Sequence, residues 1–133
     1  MPPATPARVA AAVERIRAVL GPAGCLEAPA DVAPYLVDFR GLYRGATPLV
    51  ASPASTADVA AVLAICHDLG VAVVPHGGNT SYCGGATPHE SGEEIVLSLR
   101  RMNRVREVQP DNFSMVVEAG CLLAEVQAAA EAA

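Results

Sequence analysis

The fold is decided by residues 49–85, which read LVASPASTADVAAVLAICHDLGVAVVPHGGNTSYCGG. The run begins with a short apolar segment, Leu49 to Ala51, which is typical of a buried strand. Ser55 or Thr56 then supplies a helix N-cap, and apolar residues at helical spacing follow until Gly70, a residue that favours helix ends. The next four residues form a second apolar segment. The stretch therefore predicts a strand, a helix and a strand, joined by a right-handed crossover that makes the two strands parallel neighbours.

The same periodicities predict the rest of an α/β fold. Residues 21–48 are rich in glycine and proline and are expected to be irregular, apart from one helical turn around Asp31 to Leu36. A helix from about Pro6 to Leu20 precedes them. After the loop we expect a third strand at 95–97, a fourth beginning at 105, a fifth at 113–118 pairing antiparallel with the fourth across the 110–112 turn, and a helix over 122–133. That last helix has no C-terminal cap, which predicts that it is truncated.

The composition argues against two broad classes of function. The chain has 133 residues, of which 14 are acidic and 9 are basic, and every basic residue is arginine. No stretch combines basic with aromatic residues, so a nucleic-acid partner is not expected. The longest uncharged run, 69–89, is too rich in glycine and polar residues for a transmembrane segment. Charges interrupt the N-terminal apolar positions, so no signal peptide is predicted and a cytoplasmic location is expected.

The glycine-rich loop from Pro75 to Gly85 follows the second predicted strand. Four glycines in eleven residues let backbone N–H groups approach a ligand without interference from side chains. Such backbone nests bind phosphate oxygens. Asn79, Thr80 and Ser81 add side-chain donors, and no carboxylate occurs between Asp68 and Glu90. The loop is therefore suited to an anion, although a tight structural turn is the commoner explanation of such glycines when they are considered alone.

Two familiar phosphate loops do not fit this segment. The GxxxxGK[ST] loop requires a lysine, and the chain has none. The GxGxxG loop requires a helix that begins at the loop, whereas Pro88 and further irregular residues lead here into another strand. Any phosphate must therefore be held by a backbone cradle without a helix behind it.

Three segments together resemble a known family. They are PHGGNTSYCGG (75–85), EIVLSLRRMNRV (94–105) and PDNFSMVVEAGCLLAEVQ (110–127). In order and spacing they resemble the N-terminal FAD-binding region of the vanillyl-alcohol oxidase/p-cresol methylhydroxylase (PCMH) type. Within that type they are most similar to the branch of D-lactate dehydrogenase, glycolate oxidase subunit and D-2-hydroxyglutarate dehydrogenase. The resemblance begins near Phe39, so we expect a helical lead at 1–38 and an incomplete PCMH-type FAD-binding domain at 39–133.

The resemblance implies which residues hold the cofactor. The FAD diphosphate is expected against Pro75, His76, Gly77, Gly78, Asn79, Thr80, Ser81, Gly84 and Gly85. The segments Ser98 to Met102 and Glu118 to Gly120 are expected to flank it. Related oxidases that attach flavin covalently have a histidine where this chain has Asn79, so the FAD is expected to be non-covalent. The resemblance assigns no catalytic residue or metal ligand to these 133 residues.

The resemblance also implies an activity for the intact enzyme. It is the oxidation of a small D-2-hydroxy acid of the lactate, glycolate or 2-hydroxyglutarate class, with hydride passing from the substrate carbon to the flavin. A homodimer is expected for the intact enzyme. Because the family's enzymes are several times longer, we expect this chain alone to bind FAD weakly or not at all and to lack dehydrogenase activity. The alternative is a non-catalytic flavin- or nucleotide-binding fragment.

Three other interpretations rest on residue types alone. A metal site is conceivable from Cys66, His67, His76, Cys83 and His89, but their spacing matches no zinc pattern. Cys83 and His76 are also the residue types of a nucleophile and its base, with a packed thiol as the simpler interpretation. An arginine cluster is suited either to an anionic substrate or to a solvated face; its members are Arg100, Arg101, Arg104 and Arg106. The four cysteines are widely spaced and are expected as free thiols, with Cys66 in the core.

Overall fold

A four-stranded sheet and a separate two-stranded hairpin organise the computed structural model, which describes residues 4–133. The first three residues of the predicted lead lie outside the described residues. In chain order the helices and strands are α1 (Pro6–Leu20), β1 (Cys25–Leu26), α2 (Pro29–Val32), β2 (Val50–Ala51), α3 (Thr56–Leu69), β3 (Val73–His76), β4 (Ile95–Ser98), β5 (Val105–Gln109), β6 (Ser114–Val117) and α4 (Leu123–Glu131). The α/β prediction is confirmed, as is the helical turn expected around residue 31.

The strand order of the main sheet corrects one prediction. The order is β1-β2-β4-β3, in which β2, β4 and β3 are parallel and β1 is antiparallel to β2. The strands β2 and β3 are therefore parallel but are not neighbours, because β4 lies between them. All four residues of β4 are buried, whereas β3 contains Pro75, which has no N–H for a second strand. Burial favours β4 at the centre, and proline favours β3 at an edge.

The two long helices pack together on one face of the sheet. The buried side of α1, which includes Val9, Val13 and Ile16, shares one apolar cluster with α3 and with inward residues of β2 and β4. A smaller cluster on the opposite face joins Val50, Val74 and Val96 to α2 and the turn after it. Both α1 and β1 therefore pack against residues that follow position 38 in the chain. The predicted boundary between the helical lead and the domain after position 38 remains a prediction.

Helix α3 begins and ends as its sequence predicts. The Ser55 hydroxyl accepts a hydrogen bond from the Asp58 N–H at 3.1 Å, and Gly70 ends the helix in the left-handed conformation. The Val71 N–H donates to the Cys66 carbonyl at 2.8 Å and so belongs to the helix end. For this reason β3 begins at Val73, two residues later than the predicted strand.

Replacing Ser55 with alanine tests this N-cap. We expect S55A to lower the free energy of unfolding by about 1 kcal/mol, because the Asp58 N–H loses its acceptor. Urea unfolding followed by circular dichroism measures the change. The matched control is T56A, since the Thr56 side chain makes no hydrogen bond to the described residues. Equal effects of the two substitutions would contradict the assignment.

The C-terminal third of the chain forms the predicted hairpin and helix. Strands β5 and β6 pair antiparallel across the Pro110–Asn112 turn, and Phe113 continues the turn in the left-handed region rather than starting the strand. Helix α4 follows the hairpin, and none of its residues is buried. Within residues 4–133, no helix has the length and apolar content needed to cross a membrane.

Candidate functional site

The glycine-rich loop begins where β3 ends, at the carboxyl edge of the three parallel strands. Ligands of open α/β sheets bind at this edge, beyond the strand ends. No helix occurs between His76 and β4, so the predicted absence of a helix behind the loop is confirmed. Residues Gly77, Gly78 and Thr80 to Cys83 are exposed. The loop is therefore open to a ligand and offers its backbone rather than a helix end.

The backbone amides of the loop are available for such a ligand. Within residues 4–133, none of the following N–H groups donates a hydrogen bond to another part of the chain: Gly77, Gly78, Asn79, Thr80, Ser81, Tyr82, Gly84, Gly85 and Ala86. Two N–H groups in this region do have acceptors. The Cys83 N–H donates to the Ser81 hydroxyl at 3.3 Å, and the Thr87 N–H donates to the Gly84 carbonyl at 3.0 Å. A run of free donors is the chemistry that phosphate oxygens require.

Two of the loop glycines have no role in the packing of the protein itself. A Cβ built on Gly77 would meet no atom within 4 Å, and one on Gly78 would meet only the Thr80 methyl at 3.9 Å. Neither residue has a positive φ. Gly84 differs, because its φ is 71° and a Cβ there would lie 2.7 Å from the Tyr43 ring. The open space beside Gly77 and Gly78 fits a ligand that approaches the backbone closely.

A turn formed by residues 36–45, here called the strap, lies across this loop. Val37 and Arg44 form an antiparallel bridge, and the Gly45 N–H donates to the Leu36 carbonyl at 2.8 Å. Asp38 organises the strap from inside, since its buried carboxylate accepts the N–H of Tyr43 at 2.7 Å and of Arg40 at 3.2 Å. These bonds, the Tyr43 bond foremost, hold the pKa of Asp38 below its ordinary value.

The strap contacts the loop at several points. The Asn79 side-chain amide donates to the Val37 carbonyl at 2.8 Å, and the Arg40 guanidinium donates to the Tyr82 carbonyl. The Tyr82 ring lies edge-on to Phe39 with the ring centroids 6.4 Å apart. Sequence reasoning described this region only as irregular, because no local pattern shows which distant loop it will contact. The strap therefore fixes the middle of the loop while leaving the loop amides free.

Two of the predicted cofactor-binding residues have structural roles for their side chains. The buried His76 ring donates from Nδ1 to the Ala86 carbonyl at 3.1 Å and packs against Tyr35, with centroids 4.7 Å apart. Burial lowers the pKa of His76, so the ring is neutral near pH 7. Pro75 pairs with Leu97 within the sheet and has no N–H to offer. Pro75 and His76 are therefore part of the sheet rather than of the open loop, because the His76 backbone also pairs with β4. Their expected contact with the cofactor remains a prediction.

A cavity of about 470 Å³ adjoins the second half of the loop. Residues 42–44 of the strap bound it on one side, and Gly84, Gly85 and Thr87 bound it on another. The acidic residues Glu90 and Glu94 also line it, so this cavity is less suited to an anion than the loop amides are. The Thr87 hydroxyl is buried and has no hydrogen-bond partner within residues 4–133. An unpaired buried hydroxyl is unfavourable, but this atom has almost no accessible surface through which a ligand could reach it.

The corner after β6 packs against the end of β4. A Cβ on Gly120 would overlap the Leu99 carbonyl oxygen and lie 2.8 Å from the Met102 carbonyl oxygen. The Gly120 N–H donates to Met102 at 2.8 Å. The two segments expected to flank the cofactor are therefore in contact with each other; their contact with the cofactor remains a prediction.

Glu118 fixes this corner through two arginines. Its Oε1 accepts from the guanidinium groups of Arg104 at 2.8 Å and Arg106 at 3.0 Å, and its Oε2 accepts the Arg104 N–H at 3.0 Å. The side chain is only 2% exposed. These hydrogen bonds lower the pKa of Glu118 to about 2. The Arg104 side chain contributes most, followed by the Arg104 backbone N–H, and Arg106 contributes less.

This lowered pKa predicts a pH dependence of stability. The folded pKa is about 2, against an ordinary value of 4.5, so the ionised carboxylate stabilises the fold above pH 4.5 and loses that contribution as the pH falls toward 2. We expect E118Q to melt several degrees below the wild-type chain at pH 7, and the difference to shrink between pH 4.5 and 2. The control is E131Q, at an exposed helix end. A difference that stays constant across this pH range would contradict the assignment.

The structure separates most members of the alternative sites. Cys66 lies in the core, as predicted, and burial raises the pKa of its thiol to about 11. Cys83 is exposed. Among the described residues, no group of three or more His, Cys, Asp or Glu side chains is placed to hold a metal ion. In the arginine cluster, Arg101 donates to the Ser52 carbonyl at 2.8 Å, while Glu118 engages two other members. Three of its four arginines thus have partners in the fold.

Fold and loop together define an α/β domain with an open glycine-rich loop at the carboxyl edge of its parallel strands. A comparison with protein families matches residues 47–133 to the FAD binding domain family, so the chain belongs to that family and FAD is its cofactor.

The most similar characterised sequences include three enzymes. D-2-hydroxyglutarate–pyruvate transhydrogenase of Saccharomyces cerevisiae is 39% identical over 97 residues, 73% of this chain and 19% of the relative. Mitochondrial D-2-hydroxyglutarate dehydrogenase of Bos taurus is 36% identical over 113 residues, 85% of this chain and 20% of the relative. The glycolate oxidase subunit of Bacillus subtilis is 30% identical over 118 residues, 89% of this chain and 25% of the relative. The chain therefore spans a quarter or less of the length of each.

Solved structures show the same fold. A substrate-bound p-cresol methylhydroxylase superposes with a TM-score of 0.80 at 21% identity, over 97% of this chain and 25% of that one. An alkyldihydroxyacetonephosphate synthase gives a TM-score of 0.80 at 19% identity, over 98% and 26%. The predicted PCMH-type fold is thereby confirmed.

Proposed function

We propose that the loop of residues 77–86 binds the diphosphate of FAD through its backbone amides. The observation that supports this most directly is the run of loop N–H groups without acceptors in the described chain, beside the open space at Gly77 and Gly78. The absence of carboxylates from the loop also favours an anion.

The cofactor is held without a covalent bond in this proposal. The Asn79 carboxamide replaces the histidine of covalent flavoproteins, and it already donates to the Val37 carbonyl. The nearby His76 ring is buried and hydrogen-bonded to Ala86. Denaturing the protein should therefore release all of its flavin.

We further propose that the intact enzyme oxidises a D-2-hydroxy acid. The names of the relatives, which include D-2-hydroxyglutarate dehydrogenases and a glycolate oxidase subunit, support this class of substrate. Bound FAD supplies the hydride acceptor, and residues 4–133 bind and orient it. The rest of the relatives' length has no counterpart in this chain, so we expect the chain alone to show no turnover of D-2-hydroxyglutarate, D-lactate or glycolate. A cytoplasmic location and a homodimer are also proposed for the intact enzyme.

Competition binding tests the diphosphate assignment. Because the chain alone is expected to bind FAD weakly, FAD is titrated against it up to millimolar concentration, and ADP or riboflavin is then added as a competitor. We expect ADP to displace FAD, because it contains the diphosphate, and riboflavin to be at least about tenfold less effective, since charge-assisted hydrogen bonds are lost. Displacement by riboflavin but not by ADP would contradict the proposal.

A further inference from the structure

A cationic side chain lies beside the loop although the loop sequence contains none. Arg40, which is 42 residues from Tyr82 in sequence, donates from one guanidinium nitrogen to the Tyr82 carbonyl. Its guanidinium carbon lies 5.3 Å from the centroid of the Tyr82 ring. The strap thus brings a positive charge to Tyr82, which lies in sequence between Ser81 and Gly84, two residues whose N–H groups are free.

Arg40 has an acidic neighbour but forms no salt bridge with it, and the charge of Arg40 is the last of the causes that lower the pKa of Asp38. Within residues 4–133 it forms no ion pair, unlike Arg104 and Arg106, which both engage Glu118. The nearest acidic side chain in sequence, Asp38, directs its oxygens to backbone N–H groups. With one nitrogen on the Tyr82 carbonyl, the remaining N–H groups of the exposed Arg40 side chain are available to a ligand.

We propose that Arg40 is the cationic ligand of the diphosphate, and this rests on the diphosphate site proposed above. A diphosphate carries about two negative charges, which amides alone do not neutralise, and a guanidinium pairs with phosphate oxygens in a bidentate geometry. The bond to the Tyr82 carbonyl and the stacking on its ring hold the guanidinium in place beside the loop. Arg40 therefore adds a positive charge to a site in which the loop glycines leave space for the ligand.

The test compares phosphate-bearing and phosphate-free ligands. Amide spectra of the ¹⁵N-labelled 133-residue chain are recorded during titration with ADP and, separately, with adenosine. We expect R40Q to weaken ADP binding by about tenfold and to leave adenosine binding unchanged, because only ADP has the charges that Arg40 meets. The ADP affinity of R40K should lie between those of the wild-type chain and R40Q, since lysine keeps the positive charge but loses the bidentate geometry of the guanidinium. R8Q, an exposed arginine change on α1, is the matched control.

The salt dependence of ADP binding provides a second test of the role of Arg40. Added sodium chloride should weaken ADP binding to the wild-type chain more than to R40Q, because salt screens the exposed guanidinium. Equal ADP affinity for R40Q and R8Q would overturn the role of Arg40 while leaving the amide site intact. An equal loss of ADP and adenosine binding in R40Q would also overturn it. If ADP at millimolar concentration shifts no loop amide in the wild-type chain, the diphosphate site itself is wrong.

Discussion

Gly78→Val should remove FAD binding without unfolding the chain. A valine at this position would project its side chain into the space through which a ligand reaches the loop amides. The position has an ordinary φ, and a Cβ there meets only the Thr80 methyl at 3.9 Å, so the ligand-free fold should tolerate the change. We expect ADP and FAD affinity to fall by about a hundredfold, the equivalent of about two charge-assisted hydrogen bonds. Titration followed by amide shifts measures the loss.

The control for this variant is Ala54→Val, an equally exposed small-to-valine change away from the loop. The melting temperatures of G78V and A54V without ligand should both stay within about 2 °C of the wild-type value, as for most surface substitutions. Wild-type ADP affinity in G78V would remove the loop from the site. A large fall in its melting temperature would instead give Gly78 a role in packing.

Gly120→Ala should greatly lower the stability of the chain. The added Cβ would overlap the Leu99 carbonyl oxygen and lie 2.8 Å from the Met102 carbonyl oxygen, and backbone groups on both sides limit relaxation. We expect a loss of about 3 kcal/mol in the free energy of unfolding, at the upper end of overpacking effects. Urea unfolding at pH 7 measures it.

The matched comparison is Gly77→Ala, whose Cβ would meet nothing within 4 Å. This substitution should change the free energy of unfolding by less than about 0.5 kcal/mol. The two glycines thus predict opposite outcomes: Gly120 is needed for the fold, and Gly77 for a ligand. If G77A destabilised the chain as much as G120A, the interpretation of the open loop glycines would be wrong.

Local patterns in the sequence predict the helices, the hairpin and the loop. Helix α1 has the predicted bounds because its apolar spacing is regular and Gly21 ends it. Helix α3 has both a predicted N-cap and a predicted C-terminal glycine. Each of these signals lies within a few residues of the structure that it determines, so one sequence is enough to find it.

Contacts between distant segments are harder to predict. The position of β4 between β2 and β3 depends on which strand is most buried, and that is a property of the whole sheet. Strand β1 has only two residues, too few for a periodic signal. The contact between Arg40 and Tyr82, and the pairing of Glu118 with two arginines, join residues whose local sequence gives no sign of a partner. The family resemblance predicted the cofactor but not these supports.

Mapping ADP onto the ¹⁵N-labelled wild-type chain is the most direct test of the diphosphate site. At saturating, millimolar ADP we predict that the largest amide shifts fall on Gly77 to Ser81 and on Gly84 to Ala86, with small shifts on the outer face of α1. Largest shifts on α1 or α4, or no shifts in the loop, would contradict the assignment of these free amides to the FAD diphosphate.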